Sequence, residues 1–184
     1  AQYWQMNKQI VVLIGGPGTG KTTLIEELLA QGYCCYPEIS RQVTLEARKQ
    51  GIEQLFLENP LLFSELLLEG RINQYKNAVE EPHEWVFIDR GIPDVLAYMH
   101  YIGDSYPTHF DAACKEHVYT KIFMLPPWEA IYESDEARYE NFEQATLIAQ
   151  HLTETYAHYG YQLIEVPKAP PADRVAFILQ SLAT

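Results

Sequence analysis

The sequence predicts an α/β fold, a three-layer arrangement with a parallel sheet between helices, and three observations carry that expectation. Short apolar, β-branched runs alternate along the chain with longer stretches of helical spacing. The first such run, residues 10–14, leads directly into Gly15-Gly16-Pro17-Gly18-Thr19-Gly20-Lys21-Thr22 and then into good helix formers over residues 23–30. A later run, Trp85-Val86-Phe87-Ile88, ends in a carboxylate, Asp89. Strand, glycine-rich turn and helix in that order, with an acid closing another strand, is the layout of a sheet buried on both faces.

The remaining elements follow in order. Residues 33–36 read as a brief second strand ended by Pro37, and residues 38–50 as a polar helix stopped by Gly51. Residues 60–80 read as a long helix with Pro60 in its first turn. After the strand at 85–89, residues 93–102 and 110–116 read as helices separated by a turn at 103–107. Residues 119–125 form an apolar strand broken by Pro126-Pro127, and a charged, aromatic segment at 128–142 reads as a short lid. A helix to His158, a strand at 161–166, a linker at 167–171 and a helix at 173–182 complete the chain. Residues 6–184 are expected to form one domain, and residues 1–5, which precede Met6, an N-terminal extension.

Composition narrows the function. The 47% hydrophobic and 21% charged shares are those of a globular protein able to bury a core. Thirteen Lys and Arg against 25 Asp and Glu give a formal charge of −12, which argues against nucleic acid as a partner and against anionic membranes. No apolar run is long enough to span a bilayer and no leader pattern is present, so a cytoplasmic location is expected. Cys34, Cys35 and Cys114 read as reduced thiols. The six histidines show no metal-ligand spacing and Cys34-Cys35 lacks the C-x-x-C gap, so no structural zinc is expected.

The loop carries the most specific chemistry. It matches G-x-x-x-x-G-K-[ST], in which glycines let the backbone curl its N–H groups around the phosphates of a nucleoside triphosphate. The helix that follows adds its positive end. Gly15, Gly16, Pro17, Gly18, Thr19, Gly20, Lys21, Thr22 and Thr23 are the expected nucleotide-binding residues. Lys21 is placed to reach the β- and γ-phosphates, and the Thr22 hydroxyl to ligate Mg²⁺ brought with ATP. Asp89 reads as the second Mg²⁺ residue and as a catalytic candidate to orient an acceptor hydroxyl, or as a cap for the next helix. The residue after it is Arg90, where ATP-driven motors usually carry a second acid that activates water; an arginine there suits a phosphate or an anionic substrate.

Further candidates flank this centre. Glu38 and Arg41 lie one helical turn apart after the second strand; either they serve an acceptor site, Glu38 taking a proton and Arg41 holding substrate, or they form a surface ion pair. Asp94 is a candidate substrate-binding acid or a helix cap. Arg138 is the only Lys or Arg between Lys121 and Lys168, and reads as an arginine finger supplied by the lid or as a charge relieving an acidic surface helix. Leu61, Leu62, Leu66, Leu67 and Leu68 read as core or as a partner-facing stripe, with a homodimer possible. No N-K-x-D or T-K-x-D element for reading guanine follows a strand.

On these residues the chain resembles a family of small P-loop ATPases of the AAA-domain kind, related to the ribosylnicotinamide kinase domain of the bifunctional regulator of NAD synthesis. The resemblance runs from Met6 onward and rests on Gly-Gly-Pro-Gly-Thr-Gly-Lys-Thr-Thr, Tyr-Pro-Glu38-Ile-Ser-Arg41, Phe-Ile-Asp89-Arg90-Gly-Ile-Pro-Asp94 and Leu-Pro-Pro-Trp-Glu. The Asp-Arg pair is also similar to that of thymidylate and deoxynucleoside kinases, where the arginine contacts substrate or phosphate. The resemblance implies five strands in the order 2-3-1-4-5. Two functions are then expected in competition: a Mg-ATP-dependent kinase acting on an unidentified small-molecule acceptor, or a nucleotide-binding switch with slow hydrolysis and a protein or lipid partner. An AAA-type motor is disfavoured, because no Asp-Glu pair is present and 184 residues leave little room for a separate helical lid domain.

Overall fold

The computed structural model describes residues 8–16, 18–129 and 142–183. Its centre is a parallel sheet of five strands, β1 (Gln9–Ile14), β2 (Cys34–Tyr36), β3 (Trp85–Asp89), β4 (Lys121–Met124) and β5 (Leu163–Glu165). Their spatial order is β2-β3-β1-β4-β5, the order implied by the resemblance. The register sets Leu13 beside Asp89 and Phe123, so the carboxyl ends of the three central strands lie together at one edge.

Strand alternation makes the layers. Val11, Leu13, Phe87 and Phe123 face one side and pack on Leu24 and Leu28 of α1 (Lys21–Ala30) and on Val175, Ile178 and Leu182 of α8 (Pro171–Ala183). Ile10, Val12, Ile14, Ile88 and Ile122 face the other side. There they meet α4 (Pro60–Glu80), α5 (Ile92–Ile102), α6 (Thr108–Glu116) and α7 (Phe142–His158). Burial on both faces is why these strands read as continuous apolar runs instead of alternating ones.

Most predicted elements are present, and the shifts have local causes. The polar helix begins two residues later than the spacing suggests, as α2 (Ser40–Lys49), because the Glu38 carboxylate accepts hydrogen bonds from the Ser40 N–H and hydroxyl and so sits outside the helix. A four-residue helix, α3 (Leu55–Glu58), precedes α4; it is too short to show a period. Asn59 caps α4 by accepting from the Leu62 N–H at 3.2 Å, with Pro60 in the first turn. β4 and β5 start two residues later than expected because Tyr119 and Tyr161 are bonded off the sheet: the Tyr119 N–H donates to the Tyr161 hydroxyl at 3.0 Å, and the Tyr161 N–H to the Tyr156 carbonyl at 3.2 Å. The leucine stripe splits: Leu67 and Leu68 are core, whereas Leu61, Leu62 and Leu66 are exposed. No described helix is long and apolar enough to cross a membrane.

Candidate active site

β1 delivers the phosphate loop. Gly15 leaves the strand with φ 152°, and a Cβ there would stand 2.7 Å from the Leu125 carbonyl oxygen, so no larger residue fits. Gly18 and Gly20 also have positive φ, and α1 starts at Lys21. The loop is fastened on several sides. Thr19, 1% exposed, donates its hydroxyl to the Gly16 carbonyl at 3.0 Å, and the Trp128 N–H donates to the Gly18 carbonyl at 3.2 Å. Arg174 of α8, 2% exposed, donates to the Thr19 carbonyl at 2.6 Å and the Pro167 carbonyl at 2.8 Å, and its guanidinium lies 5.0 Å from the Trp128 ring. Pro17 lies outside the described residues, as do residues 130–141 of the predicted lid, including Arg138.

Lys21 and Asp89 meet in the cleft at 2.6 Å, both largely buried. Beyond that contact, neither Lys21 Nζ nor Asp89 Oδ1 has a hydrogen-bond partner among the described residues. Burial, and then Arg90 nearby, lower the Lys21 pKa to about 8 despite the opposing pull of Asp89. A buried cation and a buried carboxylate oxygen, each short of partners beside a loop of inward N–H groups, fit a phosphate chain and its Mg²⁺. Thr22 and Thr23 are exposed at the mouth of the same cleft, which has a volume of about 330 Å³ and is also lined by Glu38 and Arg90.

Arg90 holds a left-handed backbone with φ 71°, a strained conformation for a residue with a side chain. The strain is held from every side. The Arg90 N–H donates to the Leu13 carbonyl at 3.0 Å, and the Ile92 N–H to the Tyr119 hydroxyl at 3.0 Å. Arg71 of α4, 3% exposed, donates to the Gly91 carbonyl at 3.3 Å. Asp94 accepts from the Gly91 N–H at 2.9 Å and from the Tyr156 hydroxyl. Asp94 therefore caps α5, while it also lines the neighbouring cavity.

Glu38 and Arg41 are separated by the fold. Glu38 is inward and bonded to Arg71 at 3.4 Å, whereas Arg41 is exposed. Burial pushes the Glu38 carboxyl up, but Arg90, the Ser40 hydrogen bonds and Arg71 outweigh it and hold the group below its ordinary value. Glu38 is thus a carboxylate at neutral pH.

A second cavity of about 220 Å³ adjoins the phosphate cleft. Phe63, Leu67, Tyr98, Tyr101, Ile148 and Leu152 supply an aromatic and aliphatic wall. Arg71, Arg90 and Asp94 supply charge. Gly16 and Arg90 line both spaces, so the two meet at the phosphate loop. Arg71, Tyr119, Tyr156 and Arg174 escaped the sequence reading. Arg71 left a trace: it continues the buried i, i+4 row Phe63, Leu67 of α4, an arginine where an apolar residue belongs. The tyrosines look like any core aromatic, and Arg174 like any surface charge.

Comparison with known proteins agrees with this architecture. A family described as AAA domain matches residues 10–174. No curated protein matches the sequence. Among solved structures, deoxyadenosine kinase from M. mycoides with dCMP and dCDP superposes with a TM-score of 0.70 at 16% identity, covering 95% of this chain and 99% of that one. NadR in complex with NR gives a TM-score of 0.73 at 16% identity over 98% of this chain, which spans 52% of NadR. Thymidylate kinase from Candida albicans gives 0.63 at 12% identity, covering 96% and 91% of the two chains. At such identities the likeness establishes a shared fold.

Proposed function

The chain belongs to the AAA domain family, and from that premise we propose that it is a small kinase, moving the γ-phosphoryl group of Mg-ATP to a hydroxyl of a small, ring-bearing acceptor. The observation that supports this most is the pair of adjoining spaces. One is polar and built around the phosphate loop, the other is walled by aromatic side chains, and Gly16 and Arg90 are common to both. A molecule that only bound and hydrolysed nucleotide would have no use for the second space. The names of its structural neighbours, deoxyadenosine kinase and thymidylate kinase, support the same reading.

The residues divide the work by position. The loop N–H groups and Lys21 hold the β- and γ-phosphates, and Lys21 leaves Asp89 to do so. Thr22 and Asp89 are the residues that would hold Mg²⁺, which supplies charge neutralisation on the phosphate oxygens. Glu38 accepts the hydrogen bond of the acceptor hydroxyl and aims its oxygen at phosphorus. As the acceptor O–P bond forms, the bond to the leaving diphosphate breaks and the hydroxyl proton passes to Glu38, then to solvent. Because its pKa is held low, Glu38 orients the hydroxyl more than it abstracts the proton early, which suits a loose transition state. Arg90 lies where the transferred group crosses from one space to the other, and Arg138 is the proposed lid arginine.

The deciding experiment is a screen of nucleosides, vitamins and sugars with labelled ATP and Mg²⁺. The expected result is label transfer to a hydroxyl compound bearing an aromatic or heteroaromatic ring, abolished by Lys21→Ala. Tight ATP binding with hydrolysis but no transfer to any acceptor would reject the kinase and leave the nucleotide-dependent switch.

A further inference from the structure

Cys34, Glu81 and His83 come together at the amino end of the sheet's outer edge, away from the phosphate cleft. Cys34 opens β2 and pairs in register with Val86, while Glu81 and His83 lie on the turn between α4 and β3. One ligand atom from each, the cysteine sulfur, a carboxylate oxygen and an imidazole nitrogen, lie within 4.8 Å of one another. The described residues hold no other such trio. The two Glu81 oxygens are differently engaged. Oε2 accepts from the Tyr36 hydroxyl at 2.7 Å, and Oε1 faces His83 Nε2 at 3.8 Å.

That second distance is too long for a hydrogen bond. It is within the spacing of two donors that each stand about 2.0–2.2 Å from one shared ion. The Tyr36 bond fixes the carboxylate from behind, as outer partners of metal ligands do. The Lys8 ammonium donates to the main-chain carbonyls of Glu81 and His83 and so fixes the turn that carries both.

We propose that Cys34, Glu81 and His83 form a binding site for a borderline divalent transition metal, Zn²⁺ foremost, with water in the fourth position. Sulfur, nitrogen and oxygen together suit Zn²⁺ and reject Mg²⁺, which takes oxygen ligands, so this site does not compete with the phosphate cleft for its metal. The thiol proton is released to solvent on binding, and the thiolate and carboxylate balance the ion's charge. Lys8 adds one like charge nearby, which makes the site weaker than a four-thiolate centre. His83 is 56% exposed, so the ion exchanges with solvent and the site is not a closed structural one. Its consequence reaches inward: the ion ties the three-residue edge strand β2 to the turn before β3, and β2 ends two residues before Glu38.

The test uses the full chain stripped with a chelator. Zn²⁺ is titrated against a chromophoric competitor, and Co²⁺ is added separately to look for a thiolate-to-metal absorption band. One equivalent of Zn²⁺ is expected, undisturbed by millimolar Mg²⁺, with a Co²⁺ band that disappears in Cys34→Ser and persists in Cys35→Ser. His83→Ala, a surface change with no fold to lose, is expected to weaken Zn²⁺ by tenfold or more and to remove any Zn²⁺-dependent rise in Tm. Absence of stoichiometric uptake, a band independent of Cys34, or equal affinity in His83→Ala would overturn the site.

Discussion

At the scale of single residues, the cleft is a balance of buried charges that nucleotide must rearrange. Lys21 titrates at about 8 in the free protein, because burial and Arg90 disfavour its charge. A phosphate chain favours the charged form, so ATP binding takes up a proton above that pH. ATP affinity is expected to fall by up to tenfold per pH unit above about 8, with proton uptake visible in calorimetry across buffers of different ionisation heat. The sign for stability is opposite. Between about 8 and the ordinary value of 10.5 the unfolded chain binds more protons, so the unliganded protein gains stability as pH rises through that window. Glu38→Gln keeps shape but removes the negative acceptor. Turnover is expected to drop by roughly 10²–10⁴-fold with ATP affinity nearly intact, and a mutant that loses ATP affinity equally would place Glu38 on the nucleotide instead. Arg41→Ala, at an exposed position of α2, is expected to raise the acceptor KM and leave ATP affinity unchanged, as steady-state kinetics would show. Arg90 carries backbone strain and, in the proposed kinase, a share of the chemistry. Arg90→Gly is expected to be about 1 kcal/mol more stable than Arg90→Ala, because only glycine accepts the left-handed backbone freely, while both lose phosphoryl transfer. Denaturant midpoints of the two variants measure the difference.

At the scale of elements, α8 and α4 reach across the molecule to shape the site. Arg174 anchors the phosphate loop, the β5–α8 connection and Trp128 at once. Arg174→Ala is expected to weaken ATP and inorganic triphosphate by the same factor, roughly tenfold or more, since hydrogen bonds from a charged group contribute about 1.5–3 kcal/mol. Equal affinities for both ligands in wild type and mutant, with only Tm lowered, would show a purely structural role. The β3–α5 turn is equally confined. A Cβ at Gly91 would come within 2.7 Å of the Tyr156 hydroxyl and 3.1 Å of the Tyr119 ring. Gly91→Ala is expected to cost about 1–3 kcal/mol through this crowding and to slow turnover, because Tyr156 and Asp94 support the turn that holds Arg90.

At the scale of the whole molecule, five parallel strands bring their carboxyl ends to one edge, and ligand binding there should stabilise the entire domain. Mg-ATP at a hundred times its Kd is expected to add about 2.7 kcal/mol, seen as a higher Tm that Lys21→Ala abolishes. Much of this architecture was legible in advance. Buried parallel strands leave uninterrupted apolar runs, and the strand–loop–helix unit is a local pattern, so β1, the loop and α1 could be placed from contiguous residues. Asp94 was legible as a cap because capping is local too. The separation of Glu38 from Arg41 was not, because a spacing of three within a presumed helix says nothing about where the helix begins.

The sequence by itself determined the class of fold, the phosphate loop and the alternation of strands and helices, since each depends on residues adjacent in the chain. Tertiary structure alone decided which charges meet: Glu38 with Arg71, Arg174 with the Thr19 carbonyl, and Cys34 with Glu81 and His83. Such pairs join segments tens of residues apart, and burial, not spacing, selects them. A buried arginine must find acceptors wherever the packed chain provides them, and its partners exist only once the layers have closed.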